Sequence, residues 1–247
     1  MTKFHRETLR CPHCLNEEEV VIWDSVDAQS DPDLKERILL KELQNYECQN
    51  CNHLYILEKP FAFIDRKEKL ILYYNPEHGA IPELNLRQDN GSLAPEIQDA
   101  LPKDFGFPIE DYTLRLVLRY NELIEKLHLH DNGLLDRVVE VVKLAIRSHM
   151  KEETVSNTTD DIQDNGFAGA DQVGDLFFLG EDNNKYIFQT FTSEGQWRQL
   201  ELDPSVYVQA YDMVGSNLAE EGSWDIVDNR FAVLFTQYVA KKLGNIS

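Results

Sequence analysis

Cys11-Pro12-His13-Cys14 and Cys48-Gln49-Asn50-Cys51 hold all four cysteines of the 247-residue chain, and residues 15–47 lie between the pairs. Each pair is followed by a strand-like stretch, VVIWDSV (Val20 to Val26) after the first and LYILE (Leu54 to Glu58) after the second. Turn plus strand, twice, is the pair of half-sites that a zinc ribbon needs. Inside the spacer, SDPDLKERILLKEL places Asp31 as an N-cap and Pro32 in the first helical turn, with Leu34, Ile38, Leu39 and Leu43 at helical spacing. The spacer therefore reads as a strand and an amphipathic helix rather than slack loop.

Zinc takes four soft or borderline ligands at tetrahedral corners, and a CxxC turn presents two thiolates on one side of a tight loop. Cys11, Cys14, Cys48 and Cys51 are thus the expected ligands of one Zn2+. A spacing of about 15–20 residues between pairs is usual, but doubling a flexible loop costs only about 0.6 kcal/mol. Structural zinc contributes roughly 10–16 kcal/mol in small peptides, so the long spacer does not decide against it. Four thiolates close the shell to water and substrate, which makes the expected metal structural rather than catalytic.

The rival reading is thiol–disulfide redox chemistry, since CPHC also occurs as the active tetrad of oxidising thioredoxin-fold proteins. That fold sets a strand before the motif and a helix after it, with the first thiolate at the helix N-terminus. Here NEEEVVIW (Asn16 to Trp23) reads as turn then strand, and the second pair would have no role. His13 and His53 could each replace a thiolate, but with four cysteines present they are expected as exposed turn residues.

Composition limits the rest. Hydrophobic residues make up 42% and aromatics 10%, enough to bury a core. No apolar run approaches the roughly 18–20 residues of a membrane span, and MTKFHRETLR lacks a secretory h-region. These features predict a cytoplasmic protein without membrane association, in a compartment where CxxC pairs serve metals or redox rather than disulfides. The formal charge is −20, with 6 Lys/Arg against 17 Asp/Glu in residues 151–247. Non-specific affinity for nucleic acid needs cations to meet phosphate, so the acidity argues against a nucleic-acid partner and for solubility. A local basic face of Arg6, Arg10, Lys35, Arg37 and Lys41 is the one candidate exception.

The remaining chain predicts an α+β fold: a zinc-ribbon-like β unit with an inserted helix, then a hairpin and helices, and a small α+β unit at the C-terminal end. FAFIDRKEKLILYYNP (Phe61 to Pro76) reads as a hairpin turning near Asp65 to Lys67 and returning through Leu70 to Tyr74; residues 75–110 read as irregular. Leu114, Leu116 and Leu118 alternate with Thr113 and Arg115, the period of a strand. Asn121 starts a short helix, NELIEKLHL, and a longer one follows from about Leu134 to Met150, with Leu134, Val138, Val141, Val142, Ala145 and Ile146 as its apolar face. Lys151 to Gln172, polar and acidic, is the expected linker between a metal-binding domain over 1–150 and a C-terminal domain over 173–247. There, a two- or three-stranded meander precedes a helix opened by Asp203-Pro204. Asp228 caps a last helix bearing Phe231, Leu234, Phe235, Tyr238 and Val239 on one face.

Taken together, CPHC, the run VVIWDSVDAQSDPDLKERILLKELQNYEC, CQNC, the FAFIDRKEKLILYYNP hairpin and the pairing of NELIEKL with DNGLLDRVVEVVKLAI resemble the bacterial and archaeal CpXC domain over about residues 1–150. The resemblance implies the metal site and its fold, and no activity. CQNC departs from the family's proline after the first cysteine. Leu15 and Asn52 stand where knuckles often place glycine, and because leucine tolerates a left-handed turn poorly, the first knuckle is expected to be distorted.

Other constellations carry less. His128 and His130 with Asp131 stand too close in sequence to converge from one helix face, and Asp160, Asp161 and Asp164 lack the ligand spacing of an EF-hand loop. Asp65, Arg66 and Lys67 read as a hairpin tip, and Trp23, Trp197 and Trp224 as core or interface anchors. No P-loop, GxGxxG, GxSxG or HExxH occurs. The leading functional reading is a non-enzymatic module that binds another protein. Alternatives are a metal-stabilised enzyme with a site near residues 61–110, including His78, and a CxxC redox protein.

Overall fold

A computed structural model of the chain describes residues 1–77, 86–156, 173–192, 195–215 and 222–244. His78, Asp160, Asp161 and Asp164, and most of the expected linker, lie outside the described residues. The fold is α+β, and the chain gathers into two compact units. One comprises residues 1–87, 93–124 and 220–226; the other comprises 88–92, 125–219 and 227–247.

In the first unit, β1 (Lys3–Arg10) and β2 (Glu17–Asp27) pair antiparallel, followed by α1 (Pro32–Leu39). Asp31 stands at the N-cap of α1 as expected, but its side chain makes no cap bond; its carbonyl accepts from Leu34 N instead. The helix turns Leu34 and Ile38 inward and ends at Leu39; just beyond its C-cap Leu40, Lys41 takes a φ of +59° that lets the chain reverse. β3 (Asn45–Glu47) and β4 (Leu54–Ile56) form a second, short hairpin. β5 (Phe61–Asp65) and β6 (Leu70–Tyr74) are the expected hairpin, every residue of β5 buried because the hairpin is central rather than peripheral. β7 (Thr113–Val117) lies parallel to β6.

The sheet order is β1-β2-β5-β6-β7-β11, closed at one edge by the two-residue β11 (Trp224–Asp225), which runs parallel to β7. The stretch 75–110 is less irregular than its composition suggests: α2 (Pro95–Ala100) forms, and Leu86, Leu93 and Leu101 cover one face of the sheet. Asp65 is buried; its Oδ1 accepts from Lys67 N, Glu68 N and Gln29 Nε2, closing the hairpin turn. Arg66 reaches Asp27 at 2.5 Å, a carboxylate also held by the amino group of Met1 at 2.6 Å. Burial opposes ionisation of Asp27, yet those two cations and the Ser30 N–H hold its pKa down at about 2.

α3 (Tyr120–Asp131) opens in the first unit and continues in the second, where α4 (Asp136–Ser156) follows it. α4 runs six residues beyond Met150, and its buried face differs from expectation. Val138, Val139 and Val142 are buried, Ala145 is exposed, and Arg137, Glu140 and Lys143 are buried with them. Lys143 Nζ donates to both oxygens of Glu125 (3.0 and 2.9 Å) and to Glu140 Oε1 (2.7 Å), and Glu125 Oε1 also accepts from Phe178 N at 2.8 Å.

β8 (Val173–Asp182), β9 (Lys185–Thr192) and β10 (Trp197–Leu202) make the expected meander, in the order β10-β9-β8. α5 (Pro204–Val214) is capped by Asp203, whose side chain accepts from Ser205 N. α6 (Asn229–Gly244) begins where Asp228 accepts from Phe231 N. Of its predicted face, Phe231, Phe235 and Val239 are buried and Tyr238 is exposed. Trp224 is a core residue, whereas Trp197 is exposed against Phe191. No described helix is long and apolar enough to cross a membrane.

Candidate metal centre

The two CxxC turns sit in equivalent places, the first between β1 and β2 and the second between β3 and β4. They are also built alike. Leu15 N donates to Cys11 O (3.0 Å) and Asn52 N to Cys48 O (2.8 Å); Cys11 N then donates to Asn16 O (2.8 Å) and Cys48 N to His53 O (3.0 Å). That geometry demands a left-handed residue after the second cysteine, and Leu15 and Asn52 supply it with φ of +62° and +55°. The expected distortion of the first knuckle is therefore absent. Leu15 adopts the left-handed turn itself, at a local cost of about 1–2 kcal/mol, with its side chain in solvent.

Each knuckle buries its first cysteine completely and leaves its second partly accessible. All four thiols are free, and their Sγ atoms lie within 4.8 Å of one another. Cys11 Sγ is 3.8 Å from Cys51 Sγ, and Cys14 Sγ is 3.6 Å from Cys48 Sγ. Thiolates around a tetrahedral metal at about 2.3 Å stand about 3.8 Å apart, and a disulfide would need about 2.05 Å. The two cross-knuckle distances thus match a tetrahedral edge, and the four sulfurs lie close enough together that they could hold one metal ion.

The surroundings favour thiolate at one corner. The Asn50 carboxamide (3.5 Å) and then the Asn16 backbone N–H draw the Cys14 thiol down to about 6. Cys51 moves the other way, to about 12: the His53 N–H favours its thiolate, but burial and its three thiol neighbours outweigh that. Glu18 of β2 accepts from Gln49 N at 3.1 Å and from the Tyr55 hydroxyl at 3.4 Å, tying the second knuckle to the longer hairpin.

Among the described residues this is the one cluster of three or more His, Cys, Asp or Glu that could hold a metal ion. His13 and His53 stay outside it and stack on each other, ring centroids 5.1 Å apart; His13 is exposed as expected and His53 half-buried. His128, His130 and Asp131 lie along the end of α3 and form no such cluster.

The family model for the CpXC protein matches residues 9–143. The chain belongs to the CpXC family. The match takes in both knuckles, the β5–β6 hairpin and α3, and ends within α4 at Lys143. No curated protein and no solved structure matches the chain.

The strand before Cys11 is a feature that the sequence reading missed. β1 (KFHRETLR) mixes Lys, His, Arg and Glu with Phe, Thr and Leu in no regular order, and most of its side chains are exposed on an edge strand, so no apolar period marks it. It supplies the strand that a thioredoxin-like site sets before its motif, but CPHC leads through a turn into β2, not into a helix. The basic residues are largely committed elsewhere. Arg6 pairs with Glu19 (2.8 Å) and Arg10 with Glu17 (2.7 Å) across the β1–β2 ladder.

Proposed function

We propose that Cys11, Cys14, Cys48 and Cys51 ligate one structural Zn2+, and that this CpXC protein is a non-enzymatic module whose ribbon docks onto another protein. The observation that carries the metal is the cross-knuckle sulfur geometry, 3.6 and 3.8 Å, which matches tetrahedral tetrathiolate and uses every coordination position. When bound, the ion supplies a cross-link between the β1–β2 hairpin and the short β3–β4 hairpin. The chain's own residues do the rest: left-handed Leu15 and Asn52 aim the thiols, and Asn50 donates to Cys14. Zinc is the ion proposed on the ribbon frame; four tetrahedral thiolates by themselves suit zinc and iron alike.

Docking is supported by what the ribbon leaves in water. Leu15, Leu54 and Ile56 are 64%, 69% and 71% exposed, and the last two share the outer face of β4. Exposed apolar residues grouped on one element mark interaction surfaces more often than chance. A protein partner fits an acidic chain whose β1 arginines are already paired better than a polyanion does. The reading calls for a reducing compartment such as the cytoplasm, where thiols persist.

A redox role has less support, because the close sulfur contacts run between knuckles and not within either CxxC. The test compares proteins captured from a native lysate by the wild type and by Leu54→Asp/Ile56→Asp. Both substitutions lie on an exposed face and leave the thiols intact. The expected result is the same zinc content and loss of a specific captured protein; identical capture by both forms, or none by either, contradicts the reading.

A further inference from the structure

Residues 88–92, Gln88-Asp89-Asn90-Gly91-Ser92, belong to the second unit and take no part in the metal site or the ribbon face. They form a tight turn: Gly91 N donates to Gln88 O at 3.0 Å, and Gln88 N to Ser92 O at 2.8 Å. Gly91 has a φ of +86°, which a residue with a Cβ adopts poorly. It also packs closely, since a Cβ there would meet the Phe231 carbonyl oxygen at 3.1 Å and the Phe231 ring at 3.2 Å.

Asn90 uses its side chain inside that turn. Its Oδ1 accepts from Ser92 N at 3.0 Å and from Ser92 Oγ at 2.6 Å, while its Nδ2 has no acceptor among the described residues. A carboxamide bonded to the N–H two residues on is folded back over the peptide between them. Asn90 Cγ therefore faces the Asn90–Gly91 peptide, and glycine offers no Cβ to bar the approach of its nitrogen. Two donors on one carbonyl oxygen are the arrangement that stabilises an oxyanion when such a carbon is attacked. Asn90 and Ser92 are only half-buried, so water reaches them. Asn132-Gly133, also preceded by aspartate, is built differently: Asn132 Nδ2 donates to His128 O at 2.8 Å, which ties the carboxamide to the last turn of α3.

We infer that Asn90 is a site of spontaneous covalent modification, at which the fold promotes conversion of asparagine to aspartate and isoaspartate. Gly91 N loses its proton to a solvent base and forms a bond to Asn90 Cγ. The two Ser92 donors hold the negative charge that develops on Oδ1. The bond from Cγ to Nδ2 then breaks, and the nitrogen takes a proton from water and leaves as ammonia. Water opens the resulting succinimide at either carbonyl, to an aspartyl or an isoaspartyl residue. The net reaction consumes one water, releases one ammonia and changes no oxidation state. Either product sets a new carboxylate beside Asp89, and isoaspartate adds a methylene to the backbone of the turn that packs Gly91 onto Phe231.

The experiment ages the full chain, purified under reducing conditions, at mildly alkaline pH and follows deamidation peptide by peptide in mass spectrometry after digestion at mildly acidic pH. Asp-Asn-Gly also occurs at residues 164–166, outside the described residues, and tryptic cleavage puts the three copies in separate peptides. In the folded chain Asn90 should convert at least about fivefold faster than Asn132. Ser92→Ala, which removes one donor and keeps the N–H, should slow it about threefold or more, and Ser92→Thr should restore it. In urea the two sites should convert within about twofold of each other, with no effect of Ser92→Ala. Conversion at Asn90 no faster than at Asn132, indifference of the folded chain to Ser92→Ala, or a Ser92→Ala effect as large in urea as in the fold overturns the inference.

Discussion

In the ribbon, β3 and β4 have three residues each, their outer faces lie in water, and four thiols occupy the place of an apolar core. In the α3–α4 pair, by contrast, apolar Leu127, Val138, Val139 and Val142 are plentiful, yet Glu125, Glu140 and Lys143 are buried among them. Both regions are organised around a polar cluster. On the proposed reading one cation completes the thiol cluster, and the ribbon's stability is then conditional on that ion. The carboxylate–ammonium cluster is bonded within the chain, with Glu140 Oε2 alone among its carboxylate oxygens left buried without a partner. It ties α3, α4 and β8 together through Phe178 N and depends on nothing outside. On that reading a chelator dismantles the first region and leaves the second.

The largest expected effect breaks the comparison on the ribbon side. Cys48→Ser removes a fully buried ligand and abolishes metal retention, with a loss on the order of 10 kcal/mol of metal-linked folding energy. In amide NMR, signals from residues 11–16 and 45–56 should collapse while those of α4 and β9 persist. Collapse of both sets would show that the ribbon does not melt by itself.

On the helical side, Lys143→Met leaves two buried carboxylates without their cation and should cost about 3–5 kcal/mol in urea unfolding. Glu140→Gln sharpens the point. Burial, with Glu125 alongside, pushes the Glu140 carboxyl up despite Lys143, so it is already disposed to be neutral. Burial lowers Lys143, but Glu125 and Glu140 more than offset it and keep the ammonium charged. The glutamine variant should therefore cost less than about 1 kcal/mol, and equal costs for the two substitutions would contradict a Glu125–Lys143 pair with a neutral Glu140.

A smaller effect follows from Asp27, which is 1% exposed and has its pKa lowered to about 2. Because the folded value lies below the unfolded one of about 3.9, its contribution is present above about pH 4 and is lost as pH falls toward 2. Asp27→Asn should remove about 2 kcal/mol at neutral pH and flatten the acid limb of the stability curve over that window. An unchanged acid limb would place the loss elsewhere. The smallest effect belongs to the knuckle itself: Leu15→Gly relieves left-handed strain at the cost of a looser unfolded chain, for a net gain of about 1 kcal/mol or less. Destabilisation by thermal melting would show that the exposed leucine makes a contact beyond its own turn.

The same contrast explains what could be read in advance. Cysteines are scarce, and their spacing states a geometry, so the four clustered thiols and the strands β2 and β4 that follow them were legible from the sequence. Leu114, Leu116 and the Asp203 and Asp228 caps were legible for similar reasons, since one local rule governs each. The buried Arg137, Glu140 and Lys143 were not, because charge reads as exposure unless the opposing partner is known, and Glu125 and Phe178 N are distant in sequence. β1 and the two-residue β11 escaped because pairing with β2 and β7 makes them strands, not their own periodicity.

The most direct test of the central claim is native mass spectrometry of the full chain purified under reducing conditions, paired with a thiol-alkylation count before and after chelation. One zinc per chain, with all four cysteines protected until the chelator is added, is the result this account requires. A metal-free chain in which Cys11 and Cys14 pass reversibly between dithiol and disulfide would contradict it and make the ribbon a redox centre.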